Sequence, residues 1–180
     1  MNLPRFQSPE LVRLEYQALH ALPARRLAIS TDTIVVYPIF FPGGDIGDLA
    51  VNGNVNDVAM SGAVPQVLTM GLVLEEGLPL ADLERVLDSM ASAARQAGVR
   101  VVAGDTKVVP RGACDRIFIN TTGLGVVPDG VDLGADTLAA GDALLLSGTL
   151  ADHGLAVLTR REGLSFAGEI HSDTAALSGL

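Results

Sequence analysis

Three aspartates stand where a carboxylate can do more than solvate a surface. Asp32 closes Ser30-Thr31-Asp32, Asp57 follows Asn56 within Val55-Asn56-Asp57-Val58-Ala59-Met60-Ser61-Gly62-Ala63-Val64-Pro65, and Asp105 lies in Gly104-Asp105-Thr106-Lys107. Each segment is expected at the junction of a β run with a turn or helix, where carboxylates and backbone N–H groups can converge on a ligand. Mg2+ prefers oxygen ligands and keeps several waters, so a few separated carboxylates bridging to phosphates suit a Mg-nucleotide site. Lys107 adds to that chemistry. It is the only lysine in the chain and sits two residues from Asp105, and a compact ammonium on a flexible stem suits a transferring phosphoryl group or an anionic intermediate. Each motif alone also admits a plainer use: an Asx-turn or cap for the aspartates, a turn hydroxyl for Ser30 and Thr106. Asn56 and Asp57 are adjacent, so on a helix they point about 100° apart and at most one of them faces a given ligand squarely.

The charge distribution supports the same region. Between Arg26 and Arg85 the sequence has no Lys or Arg, yet it carries Asp32, Asp45, Asp48, Asp57, Glu75, Glu76, Asp82 and Glu84. Asp48, Glu75, Glu76, Asp82 and Glu84 read as a solvated face. Asp32, Asp45 and Asp57 have apolar, Gly or Asn neighbours instead, the surroundings of a metal or a phosphate-bearing ligand. His153, in Asp152-His153-Gly154 after Ser147-Gly148-Thr149, reads as a cap or surface residue before a general base. Cys114, beside Arg111, Asp115 and Arg116, has no His nearby and reads as inert. No G-x-x-x-x-G-K-[ST], no G-x-G-x-x-G and no Cys/His zinc spacing occurs, which removes the P-loop, dinucleotide and zinc-module readings.

These residues need a scaffold, and the composition supplies one. The chain has 180 residues, 48% hydrophobic and 18% charged, which excludes a disordered or collagenous chain and permits one full domain plus a piece. A net charge of −9 argues against nucleic acid or an anionic membrane as the main partner. One cysteine excludes an internal disulfide framework, and with no apolar run of membrane length the expected compartment is the cytoplasm. Ser8-Pro9-Glu10 opens an amphipathic helix through Leu22. Leu27–Ser30 and Ile34–Tyr37 read as short β segments, and a turn-rich stretch leads into a helix near Ile46–Ser61. Gln66–Glu75, Val99–Ala103 and Ile117–Val127 read as β, and Leu80–Ala97 as a helix stopped at Gly98. The Gly- and Asp-rich stretch from 129 to 142 marks a boundary, dividing an N-terminal domain, 1–135, from the start of a second unit, 136–180, with a strand at Leu144–Leu146 and a helix after Asp152.

The order of the motifs resembles one family closely. Ser30-Thr31-Asp32, Phe40-Phe41-Pro42-Gly43-Gly44-Asp45, Asn56-Asp57 through Pro65, Leu74-Glu75-Glu76-Gly77-Leu78-Pro79, Gly104-Asp105-Thr106-Lys107 and Ser147-Gly148-Thr149 with Asp152-His153-Gly154 are similar to the hydrogenase-maturation carbamoyl dehydratases, the HypE family of the aminoimidazole ribonucleotide synthetase superfamily. The resemblance implies an α+β fold, a mixed sheet with helices on one face that pairs with a second copy into a barrel, with the nucleotide near that interface. It implies an enzyme that uses ATP to dehydrate a carboxamide on its own C-terminal cysteine to a thiocyanate, the source of the cyanide ligands of [NiFe]-hydrogenase. Asp32, Asp57 and Asp105 would hold Mg2+ and ATP, with Asp45, Asn56 and Thr106 supporting the nucleotide and Lys107 acting near the phosphorylated amide. The implied partners are a second copy in a homodimer, the carbamoyl transferase HypF and the HypC–HypD scaffold. The family's His-Gly-x-Gly-Gly opening has no counterpart in Met1-Asn2-Leu3-Pro4-Arg5, and no cysteine matches the acceptor, so the resemblance implies a truncated, catalytically incomplete chain. A docking module without catalysis, or a sibling ATP-dependent enzyme such as a thiamine-phosphate kinase or selenophosphate synthetase relative, is the competing reading.

Overall fold

Apolar β runs interleaved with two helical patterns condense into one mixed sheet. The computed structural model describes residues 26–134, 138–164 and 168–179. Strands β1 (Leu27–Ile34), β4 (Val64–Glu75), β5 (Arg100–Val109) and β6 (Ile117–Val126) lie in the order β1-β6-β4-β5, while β2 (Phe40–Phe41) and β3 (Gly44–Asp45) form a small hairpin. Strand β6 pairs antiparallel with both β1 and β4, and β5 runs parallel to β4. A parallel pair needs a crossover, and α2 (Leu80–Gln96) provides it. With α1 (Ile46–Met60) it covers one face of the sheet.

The alternation of side chains along β6 decides what each face carries. Ile117, Ile119 and Thr121 point to the helices and are almost fully buried, while Phe118, Asn120 and Thr122 point to the open face. The core joins them to Val51 and Val55 of α1, Leu68 of β4, and Val86 and Met90 of α2. Thr121 satisfies its hydroxyl inside this core by donating to Ala50 O at 3.0 Å. The helices approach at Gly47, where a Cβ would lie 2.4 Å from Val86 O. Gly98, with φ +70, ends α2 as expected of a residue just past a helix.

Several sequence expectations change. Leu27–Ser30 and the start of the Ile34–Tyr37 segment belong to one continuous strand, because every residue from Leu27 to Ile34 finds a partner on β6. Strand β5 runs to Val109, well beyond Ala103, since Gly104–Val109 stays in register with Met70–Glu75. Leu144–Leu146 forms no strand and is exposed, Leu144 and Leu145 by 94% and 95%. The helix after Asp152 is α3 (Asp152–Glu162), and its Val157 joins the main core. The helix expected from Ser8 to Leu22 lies outside the described residues.

Candidate functional site

Helix α1 and strand β1 carry the polar seam. Asp45 starts the helix as its N-cap: its buried carboxylate accepts from Gly47 N–H at 2.7 Å and Asp48 N–H at 3.2 Å, and Asp48 returns the contact by accepting from Asp45 N–H at 3.1 Å. Asp45 thus serves the helix through Oδ1. Burial pushes the Asp48 carboxyl up to about 6.

At the other end of α1, Ser30 Oγ donates to Asp57 Oδ2 at 3.1 Å. Asp32, two residues along the same face of β1, places Oδ2 3.7 Å from the position a Cβ would take at Gly53, one helical turn before Asp57. The absence of a side chain at Gly53 leaves room for that carboxylate. Asp32 and Asp57 therefore stand on the same side of the sheet, on facing elements, and Asp57 and Ser30 open onto a cleft of about 520 Å3 with Ala28, Met60 and Val127 among its walls.

The residue that builds this seam was not singled out by sequence reasoning. Asn54 is fully buried and its Nδ2 donates to Ser30 O at 3.3 Å and Thr121 O at 3.1 Å, tying α1 to β1 and β6 at once. Its Oδ1 has no partner and lies 2.1 Å from where a Cβ would stand on Gly123. Three asparagines in five helical positions, Asn52, Asn54 and Asn56, were the available signal, since asparagine is a poor helix former and needs a reason to recur there.

Asp105 is elsewhere. Gly104-Asp105-Thr106-Lys107 lies inside β5, and Ser30-Thr31-Asp32 inside β1, so neither sits at the strand–turn junction expected for it. Register places Thr33, Asn120, Gly71 and Asp105 in one row across β1, β6, β4 and β5. These residues, with Lys107 and Phe118, line a groove of about 230 Å3 on the open face. Thr106 is the neighbour of Asp105 along the strand and so points to the opposite face. Lys107 Nζ pairs with Asp105 Oδ2, and that contact, helped by Thr106 N–H at 2.9 Å, holds the Asp105 carboxyl below its usual range. Within one copy the three aspartates do not converge, and among the described residues no group of three His, Cys, Asp or Glu side chains is placed to hold a metal. The donors that do stand together, Asp32 and Asp57, match the one or two carboxylates that Mg2+ takes when phosphates supply the rest.

Asn56 faces neither cleft. Its amide is taken by the chain itself, through Ala175 and Leu177. His153 is half-buried against the edge of Phe41, with ring centroids 5.1 Å apart, and burial holds its imidazole below the ordinary value. Cys114 is buried, and burial, with Glu75 and Asp115 nearby, pushes its thiol up, in keeping with an inert sulfur.

Residues 15–127 match the family described as AIR synthase related protein, N-terminal domain, and the chain belongs to that family. Its sequence is similar to carbamoyl dehydratase HypE of Azotobacter vinelandii, 57% identical over 164 residues that make up 91% of this chain and 48% of that protein. Its fold superposes on a crystal structure of the hydrogenase maturation protein HypE in complex with ATP, with a TM-score of 0.84 and 56% identity over 87% of this chain and 47% of that one. A HypE–HypF complex matches with a TM-score of 0.84 and 52% identity, over 85% of this chain and 50% of that chain. The chain thus spans about half the length of the curated relatives it matches. Among the described residues, no helix is long and apolar enough to cross a membrane.

Proposed function

We propose that the chain carries the ATP-binding half of a HypE-type carbamoyl dehydratase and that two copies share the nucleotide site. The observation that carries this is the division of the acidic residues. Asp32 and Asp57 line the seam between β1 and α1, whereas Asp105 and Lys107 stand on β5, an edge strand exposed from Arg100 to Val108. A second copy packed on the open face would cover that edge, bury Ile29, now 64% exposed, and bring Asp105 and Lys107 toward a seam not their own. Asp32 and Asp57 would hold Mg2+, which when bound offsets phosphate charge. Lys107, released from Asp105, would face the transferred phosphoryl group, and Thr106 would support the strand from behind. The likeness to a HypE solved with ATP, and to one solved with HypF, supports the nucleotide and names HypF as the partner to test first, with the HypC–HypD scaffold after it. The proposed setting is the cytoplasm, where the buried thiol of Cys114 stays reduced.

Isothermal titration of Mg-ATP into the 180-residue chain tests the reading. Asp57→Asn and Asp105→Asn each remove a charge while keeping shape, and each is expected to weaken binding by about 1.5–3 kcal/mol with the fold retained. Parental affinity in both variants would show that Asp57 does not hold the metal and that Asp105 does not reach the nucleotide site.

A further inference from the structure

The segment after α3 returns across the front of α1 and is held at both ends. At the near end, Ser172 N–H donates to Pro42 O at 2.8 Å, beside Gly43, whose φ of +87 and missing Cβ let the backbones meet; a Cβ there would lie 2.5 Å from Ser172 N. His153 adds two contacts: its N–H donates to Asp173 Oδ1 at 2.9 Å, and its Nδ1 lies 3.1 Å from Ser172 Oγ. At the far end stands Asn56. Its Nδ2–H donates to Ala175 O at 2.9 Å and its Oδ1 accepts from Leu177 N–H at 2.8 Å.

Between these ends, Thr174, Ala175 and Ala176 form one wall of a polar cleft whose other wall includes Asp48 and Asn52. Asp48, Asn52 and Asn56 are spaced four residues apart and make one stripe along α1. The segment lies along that stripe. It explains how a helix with so many polar residues is buried nearly all round: the sheet takes one side, α2 another, and the returning segment the third.

A primary amide can set one of its two N–H groups and one carbonyl lone pair side by side in a fixed plane, the pair that a neighbouring strand would present to an extended backbone. We propose that Asn56 is a latch, a surrogate strand edge that holds Ser172–Leu177 as a strap on α1, rather than a contact for a ligand. Each polar atom of the amide thus holds one strap contact, and one N–H and one carbonyl lone pair remain. The latch stands one residue from Asp57. This inference rests on contacts within the chain and is independent of the nucleotide reading.

Amide hydrogen exchange by NMR tests it, with residue-level readout at Leu177, at Ser172 and along β6. Asn56→Ala removes the acceptor for Leu177 N–H and should speed exchange there roughly tenfold, while Ser172 and β6 keep their protection. Asn56→Asp keeps an acceptor, so Leu177 should stay protected although the contact to Ala175 is lost. A general packing role for residue 56 would not separate the two variants in this way. In the parent chain, the Asn56 side-chain NH2 protons should show through-space contacts to residues 175–177, a measurement that requires no variant to fold. Unchanged exchange at Leu177 in Asn56→Ala, equal losses in both variants, or the absence of those contacts in the parent would each overturn the latch.

Discussion

Asp48 holds one end of the capping box at a cost. Its folded value, about 6, lies above the unfolded one of 3.8, so the native state takes up a proton more readily than the unfolded chain. The stability it contributes is complete below pH 3.8 and is lost as pH rises through about 6. Asp48→Asn retains an acceptor for Asp45 N–H without the buried charge, and is expected to stabilise the chain by about 1–2 kcal/mol at pH 7.5. That advantage should disappear near pH 4. Urea denaturation of both proteins at the two pH values checks it, and a variant less stable than the parent at pH 7.5 would refute it. His153 has the opposite sign. Its folded value is depressed by burial, so what it contributes is present above pH 6.5 and is lost on acidification through the folded value. In Asp48→Asn, where the compensating carboxyl is gone, the loss on acidification below pH 6.5 should be steeper than in the parent. His153→Gln in that background should flatten it, as read from the same denaturation curves.

Elements set the distances that residues need. Helix α1 lies on β6 through Gly123 and Gly125, whose missing side chains admit Asn54 and Val58; a Cβ at Gly123 would stand 2.1 Å from Asn54 Oδ1 and 2.9 Å from Val58 Cγ2. Gly123→Ala therefore has to push the helix off the sheet or break the Asn54 bridge, and should cost about 3 kcal/mol or more. Thermal unfolding within a degree of the parent would contradict this account of helix–sheet spacing. Helix α2 and the helix-facing side of β6 were legible in the sequence because periodicity reports burial, whereas α1, buried nearly all round, was placed by the turn-rich stretch before it. What was not legible came from pairing. A strand's end is fixed by its neighbour, so β5 continued through Gly104-Asp105-Thr106-Lys107 because β4 was long enough to pair with it. That one difference moves Asp105 from a turn beside the other aspartates to a row on the opposite face. Leu144–Leu146 failed for the converse reason: an apolar triplet without an edge to join has no ladder to form.

Taken whole, the molecule is a sheet dressed on one side. The open face carries Ile29, and Leu27 stands beside it at the end of β1; the free edge offers Val101, Val102 and Val108, all exposed. A two-fold dimer is the expected remedy. Sedimentation at tens of micromolar should give twice the mass of 18.6 kDa, and Ile29→Lys should return it to the monomer. A monomeric parent would dismiss the shared site along with the dimer. The strand order also has a consequence in time. β1 is the first strand described, yet its only sheet partner among the described residues is β6, so Leu27 must wait for Val126. A ribosome delivers α1, β4, α2 and β5 before the described partner of β1, and closing so distant a pair is slow. Pulse-labelled exchange during refolding should find β4 and α2 protected before β1, and simultaneous protection of all three would argue against that sequence of events. Asp32 and the seam between β1 and α1 where Asp57 also stands would then be among the last features of this protein to exist.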